Sequence, residues 1–165
     1  MNLEEAKFLF AYDSWANELT FEAVSALSEE DYRRDLKSSH GGVQGTLTHL
    51  VAADKIWLSR WVGNAETQVL QMSEVPKLAD LKKAWEDVAR RTAKFLTTMN
   101  DKKIMETFSW VSAKGDKYTI VYARAFEHIV NHSTYHRGQI TTFLRQLGAK
   151  PQATDLTKFY RQTSR

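Results

Sequence analysis

Residues 121–148 read VYARAFEHIVNHSTYHRGQITTFLRQLG, and the reading of this stretch decides the fold. It contains no proline, runs as one helix from about Val121 to Leu147, stops at Gly148, and has Pro151 just beyond to prevent continuation. A helix of this length needs partners of similar length to bury its apolar face. The rest of the chain supplies them, because only Pro76, Pro151 and a few glycines interrupt it.

The first long helix spans about Asn2 to Leu27, with Asn2 as N-cap and Phe8, Tyr12, Trp15, Leu19 and Ala23 recurring every three or four residues. Ser28-Glu29-Glu30-Asp31 offers a fresh cap and a short helical turn, and Ser38-Ser39-His40-Gly41-Gly42 reads as a loop. A second long helix covers Thr46 to Trp61, with Leu47, Leu50, Val51, Leu58 and Trp61 as its apolar residues, and stops before Gly63-Asn64. Residues 64–76 form a linker. A third helix covers Leu78 to Met99, with Leu81, Trp85, Val88, Ala89, Thr92, Phe95 and Leu96 on one stripe. Residues 106–120 break the rhythm: aromatic and β-branched residues flank Ala113-Lys114-Gly115-Asp116, which predicts a two-stranded hairpin. The expectation is an all-α four-helix bundle, with a small β-hairpin before the last long helix, in one domain over residues 1–165.

Composition narrows the chemistry. There is no cysteine, so disulfides and thiolate ligands are excluded, and any metal is held by imidazole, carboxylate or water. Charges are interleaved with a net excess of +3, which permits an anionic partner without arguing for one. The N-terminus MNLEEAKFLF carries acids where a secretory signal carries basic residues, and no apolar run approaches the length of a bilayer span, so a cytoplasmic location is expected. The many aromatic residues fit a core or an interface.

His128, His132 and His136 recur at a spacing of four. Residues four apart on a helix differ by about 40° in direction and about 6 Å in rise, so neighbouring pairs can share one ion. All three cannot, because the outer two lie about 12 Å apart along the axis while metal–nitrogen bonds are about 2.1 Å. The ion takes either His128 with His132 or His132 with His136, plus a ligand from elsewhere. His40 sits in a Gly-rich loop expected to hold it loosely, as a solvated residue. His49, beside Ala52 and Ala53 in the first turns of the second helix, is the better candidate.

His128 reads as a core histidine or a support for the ligands, Tyr135 as an interface aromatic, and Arg137 as a solvated charge. A glycine inside a helix costs about 1 kcal/mol relative to alanine, so Gly138 suggests close approach by another helix or a ligand. Gln139 shares the face of His132 and His136 and is placed to hydrogen-bond a ligand imidazole or a bound water.

Three stretches, Tyr12-Asp13-Ser14-Trp15-Ala16-Asn17, Gly45-Thr46-Leu47-Thr48-His49-Leu50 and Asn131-His132-Ser133-Thr134-Tyr135-His136-Arg137-Gly138-Gln139, together resemble the DinB/YfiT-like family. These are DNA-damage-inducible four-helix-bundle metalloproteins, unrelated to the polymerase of the same name. Leu144-Arg145-Gln146-Leu147-Gly148, Pro151, Thr154-Asp155-Leu156 and Arg161 continue the resemblance to the C-terminus. It implies that His49, His132 and His136 bind a divalent ion, nickel or zinc, with water completing the coordination, in a bundle that often forms homodimers.

Three protein ligands leave an open position, and two chemistries follow on a small-molecule substrate. One is hydrolysis of an ester or amide. The other is attack by a low-molecular-weight thiol cosubstrate on an electrophile, as members of the wider superfamily do with bacillithiol or mycothiol. No general base stands out, since Asp54 is about 140° around the helix from His49 and Glu127 is at i−5 from His132. Arg60, on the His49 face, is placed either to receive an anionic substrate group or as a solvated rim residue. The alternatives are a stress-linked binding protein whose metal only staples the bundle, and nucleic-acid binding through Lys158, Arg161 and Arg165. The second ranks low because basic residues are scattered and matched by acids.

Overall fold

The computed structural model describes residues 1–64, 68–112 and 114–163. Ala113 of the expected hairpin turn, residues 65–67 of the expected linker, and Arg165 lie outside them. The helices are α1 (Leu3–Val24), α2 (Glu29–Arg33), α3 (Val43–Trp61), α4 (Leu78–Leu96), α5 (Tyr122–Gln146) and α6 (Leu156–Thr163). Strands β1 (Thr107–Val111) and β2 (Lys117–Val121) pair antiparallel, with Trp110 opposite Tyr118. The chain is therefore mostly helical with a small hairpin, as the sequence predicts.

Local chemistry explains the boundaries. Asn2 accepts a hydrogen bond from the Glu5 backbone N–H while the Glu5 carboxylate accepts one from the Asn2 N–H, a capping box that starts α1. Ser28 caps α2 by accepting from the Asp31 N–H. At the end of α5, Gly148 has φ 74° and Ala149 donates to the Leu144 carbonyl, closing the helix on the residue expected to stop it.

Helices α1 and α4 each end three residues before the expected Leu27 and Met99, and two further features differ from expectation. Helix α3 begins three residues before Thr46, so Gly45 lies inside it; a Cβ on Gly45 would stand 1.8 Å from the His40 carbonyl oxygen. The glycine is there for close approach of the preceding loop, not to end one. Helix α6 was not anticipated. Its Phe159 packs on Phe8, Tyr12 and Trp15 of α1, so a single buried aromatic secures it to the bundle.

Helix α5 packs against both α1 and α3, and α4 lies against α3 and α1. One apolar cluster joins Trp61, Phe95, Phe126 and Ile129 near the hairpin, and a second joins Phe21, Leu47, Leu81, Trp85 and Leu144 toward the other end. Along α1 and α5 the passage from one to the other is marked by buried polar residues: Asp13, Asn17 and Thr20, and Ser133, His136 and Arg137. Buried polar groups are costly unless partnered, so this band is where function or specificity is to be sought. Among the described residues, no helix is long and apolar enough to cross a membrane.

Candidate metal centre

Three imidazoles converge in that band. Helix α5 carries His132 and His136 one turn apart, and α3 brings His49 against them. The Nε2 atom of His132 lies 3.1 Å from Nε2 of His49 and 3.1 Å from Nε2 of His136. Two nitrogens bound at about 2.05 Å to one tetrahedral ion are about 3.3 Å apart, so the spacing matches a shared ion. His128, the residue at the other end of the spacing-of-four series, is excluded from the convergence. Its ring is exposed, 6.1 Å from that of His132 and 5.1 Å from that of Trp57. It is not a core histidine.

The proton arrangement also fits a cation. Nδ1 of His136 is 2.8 Å from Gln139 Oε1, so with the amide oxygen accepting, the ring proton sits on Nδ1 and Nε2 presents a lone pair. Gln139 thus makes the contact its helical position predicts. Nδ1 of His132 is buried with no partner among the described residues, and its Nε2 faces the Nε2 atoms of His49 and His136, so the polar contacts of this ring are all directed at the point where an ion would sit. Burial, followed by the neighbouring histidines, depresses His49 and His132 to about 4, and burial depresses His136 as well. Near neutral pH all three are the uncharged bases a metal requires.

A fourth imidazole departs from expectation. His40 stacks on His49 with ring centroids 4.0 Å apart, and the ligating atoms of His40, His49 and His136 all lie within 4.8 Å of one another. The glycines around it tighten the loop instead of loosening it. Leu36 donates to the Gly41 carbonyl, a Cβ on Gly42 would meet the Arg34 carbonyl at 2.2 Å, and Gly45 admits the His40 backbone itself. A loop read as flexible from its composition is a close-packed bracket.

Arg137 also departs from its reading as a solvated charge. It is 2 % exposed, and its Nη1 donates to Asp13 and, at 2.9 Å, to Asn17 Oδ1. Its Nη2 donates to Thr134 Oγ1 at 2.8 Å and approaches the Tyr12 hydroxyl at 3.5 Å. Asn17 in turn donates to Asp13. Burial raises the Asp13 carboxyl, with Arg137 and hydrogen bonds opposing it. The Tyr12-to-Asn17 stretch therefore clamps the residue next to His136 and sets the rotation of α5 that points His132 and His136 at α3.

Gly138 faces open space, since an added Cβ would meet nothing within 4 Å, so no helix approaches it. Tyr135 is 64 % exposed and edges onto His136 at 5.0 Å. Glu127 pairs with Arg124 at 2.7 Å, and Asp54 lines a separate cavity. Arg60 is half-buried, its guanidinium 4.8 Å from the Trp57 ring and 4.9 Å from the Trp110 ring, and burial lowers its pKa. Trp57 thus joins Arg60 to His128 in a rim that leads from the hairpin toward His132.

The model of the DinB family matches residues 1–165. The chain belongs to the DinB family. Protein DinB of Bacillus subtilis (strain 168) is 28% identical over 153 residues, covering 89% of this chain and 88% of the relative. A crystal structure of a DinB-like protein from Bacillus cereus ATCC 10987 matches with a TM-score of 0.66 at 19% identity, over 88% of this chain and 94% of that one. That neighbour supports the DinB bundle as the fold, and the three-histidine cluster inside it is compatible with binding a divalent metal.

Proposed function

We propose that His49, His132 and His136 hold a divalent ion, nickel or zinc, and that the protein is a cytoplasmic metal-dependent enzyme acting on a small molecule by thiol transfer or hydrolysis. The observation that carries this reading is the placement of His132 Nε2 within 3.1 Å of two other imidazole nitrogens. When bound, such an ion supplies Lewis acidity that lowers the pKa of a coordinated water or thiol. Burial comes first in the titration of all three imidazoles, followed by neighbouring histidines for His49 and His132 and by the Gln139 hydrogen bond for His136, and no carboxylate of the described residues is among the causes. Three neutral ligands leave the full charge of the ion uncompensated, which favours an anionic ligand such as the thiolate of a low-molecular-weight cosubstrate.

The chain's own groups supply the rest. Gln139 fixes the tautomer of His136, the Arg137 clamp fixes the rotation of α5, and Arg60 with its two tryptophans offers a cationic rim to an anionic or aromatic part of the substrate. His128 and Tyr135 border the site as exposed rings, and Tyr135 suits the interface of a homodimer.

A second reading gains from His40. Its ligating atom lies within 4.8 Å of those of His49 and His136, and a fourth imidazole on the ion would make it a structural staple in a non-catalytic stress-response protein. A thiol-conjugation and hydrolysis screen on His49→Ala and His40→Ala separates the two. The enzyme reading expects His49→Ala to abolish an activity with the melting temperature nearly unchanged; collapse of the fold in both variants favours the staple.

A further inference from the structure

Away from the histidines, a cavity of about 320 Å³ opens between α1 and α4 and reaches into the bundle as far as α3 and α5. Phe10, Trp61, Val88, Leu96 and Ile129 make its walls apolar, and exposed Ala11 and Ala93 flank its mouth. Two carboxyl groups, Asp13 and Asp54, face this apolar space. They do not stand in the same condition.

Asp13 has the Arg137 guanidinium and the Asn17 amide. The Asp54 carboxyl makes no hydrogen bond or ion pair with any described residue. Of the nearby cations, Arg137 already gives its two terminal nitrogens to Asp13, Asn17, Thr134 and Tyr12, and Lys7, which also lines the cavity, pairs with Glu4 at 2.7 Å. The cluster thus holds one carboxyl more than it has guanidinium, in a setting where an unpaired charge is costly. Asp54 is half-buried at the cavity wall; burial, reinforced by the negative charge of Asp13 and opposed by Arg137, raises its carboxyl well above the usual range. Trp61, 4 % exposed and lining the same space, has an indole N–H with no acceptor among the described residues.

We propose that this cavity is a second binding site, taking a small apolar amine with its ammonium on Asp54 and its body against Phe10, Trp61 and Leu96. The unmet needs define that class. The carboxylate requires a cation, the aromatic faces of Phe10 and Trp61 favour one, and an acceptor oxygen on the ligand answers the indole N–H. The site is distinct from the metal centre, because Asp54 lies about 140° around α3 from His49.

The test is isothermal titration, at neutral pH, of 2-phenoxyethylamine and its neutral analogue 2-phenoxyethanol into the full chain. Wild type is expected to bind the amine at least tenfold more tightly than the alcohol. Asp54→Asn is expected to erase that preference, Ala93→Trp to block both ligands at the mouth, and His49→Ala to change neither. Circular dichroism checks that Asp54→Asn folds; if it does not, the amine-to-alcohol ratio in wild type together with Ala93→Trp decides. Equal affinity for the two ligands, no binding of the amine, or amine binding that survives Ala93→Trp overturns the proposal. So does a wild-type dimer that fills the cavity and dissociates in Ala93→Trp.

Discussion

The Arg137 guanidinium and the Asp13 carboxylate form a buried ion pair that joins α5 to α1 one residue from His136. Removing one partner strands the other in the core. Asp13→Ala is expected to cost about 3–5 kcal/mol in denaturant unfolding, and the double variant Asp13→Ala/Arg137→Met distinctly less than the sum of the two single changes. Additive losses would mean that the pair is not the clamp described.

Gly45 and Gly138 occupy helices under opposite constraints. Gly45→Ala pushes a methyl group into the His40 carbonyl and is expected to destabilise by about 1–3 kcal/mol while displacing the His40 loop. Gly138→Ala meets open space and is expected to stabilise by up to about 1 kcal/mol. Melting temperatures moving in opposite directions confirm the pair of assignments.

His49 and His132 titrate at about 4 in the folded chain and near 6.5 when unfolded. Because the unfolded state takes up protons first, stability of the metal-free protein is flat above about pH 7 and falls as pH drops from about 6.5 to about 4. Unfolding curves collected across this range test the sign. His49→Gln should flatten the slope, and stability that rises on acidification would contradict the arrangement.

Gln139→Ala frees the tautomer of His136 without removing a metal ligand. Metal affinity, read by competition with a chelator, is expected to fall about 10–100-fold, with little change in melting temperature.

Much of the bundle was legible because its signals are local. Capping at Asn2 and Ser28, the apolar stripe of α4, the turn chemistry around Gly115 and the stop at Gly148 each act within a few residues. Helical spacing limited an ion to one neighbouring pair of the 128, 132, 136 series and local context favoured His49 over His40, while the family resemblance chose His132 with His136. What escaped depends on contacts between distant segments. Arg137 looks solvated until α1 supplies Asp13 and Asn17, 124 and 120 residues away. The loop at His40 looks loose until Gly45 is seen to admit its backbone, and α6 is short enough to depend on Phe159 meeting α1. The remaining misreading, Gly138, came from inferring a neighbour from a residue type alone.

The central claim is that His132 Nε2 sits at the junction of a three-imidazole metal site. Elemental analysis of protein purified without a histidine tag, on wild type and His132→Ala side by side, tests it most directly. The account predicts one divalent ion per chain in wild type and its loss in a still-folded His132→Ala. A metal-free wild type that neither takes up nickel or zinc nor changes on chelation would contradict it, as would full occupancy in the variant.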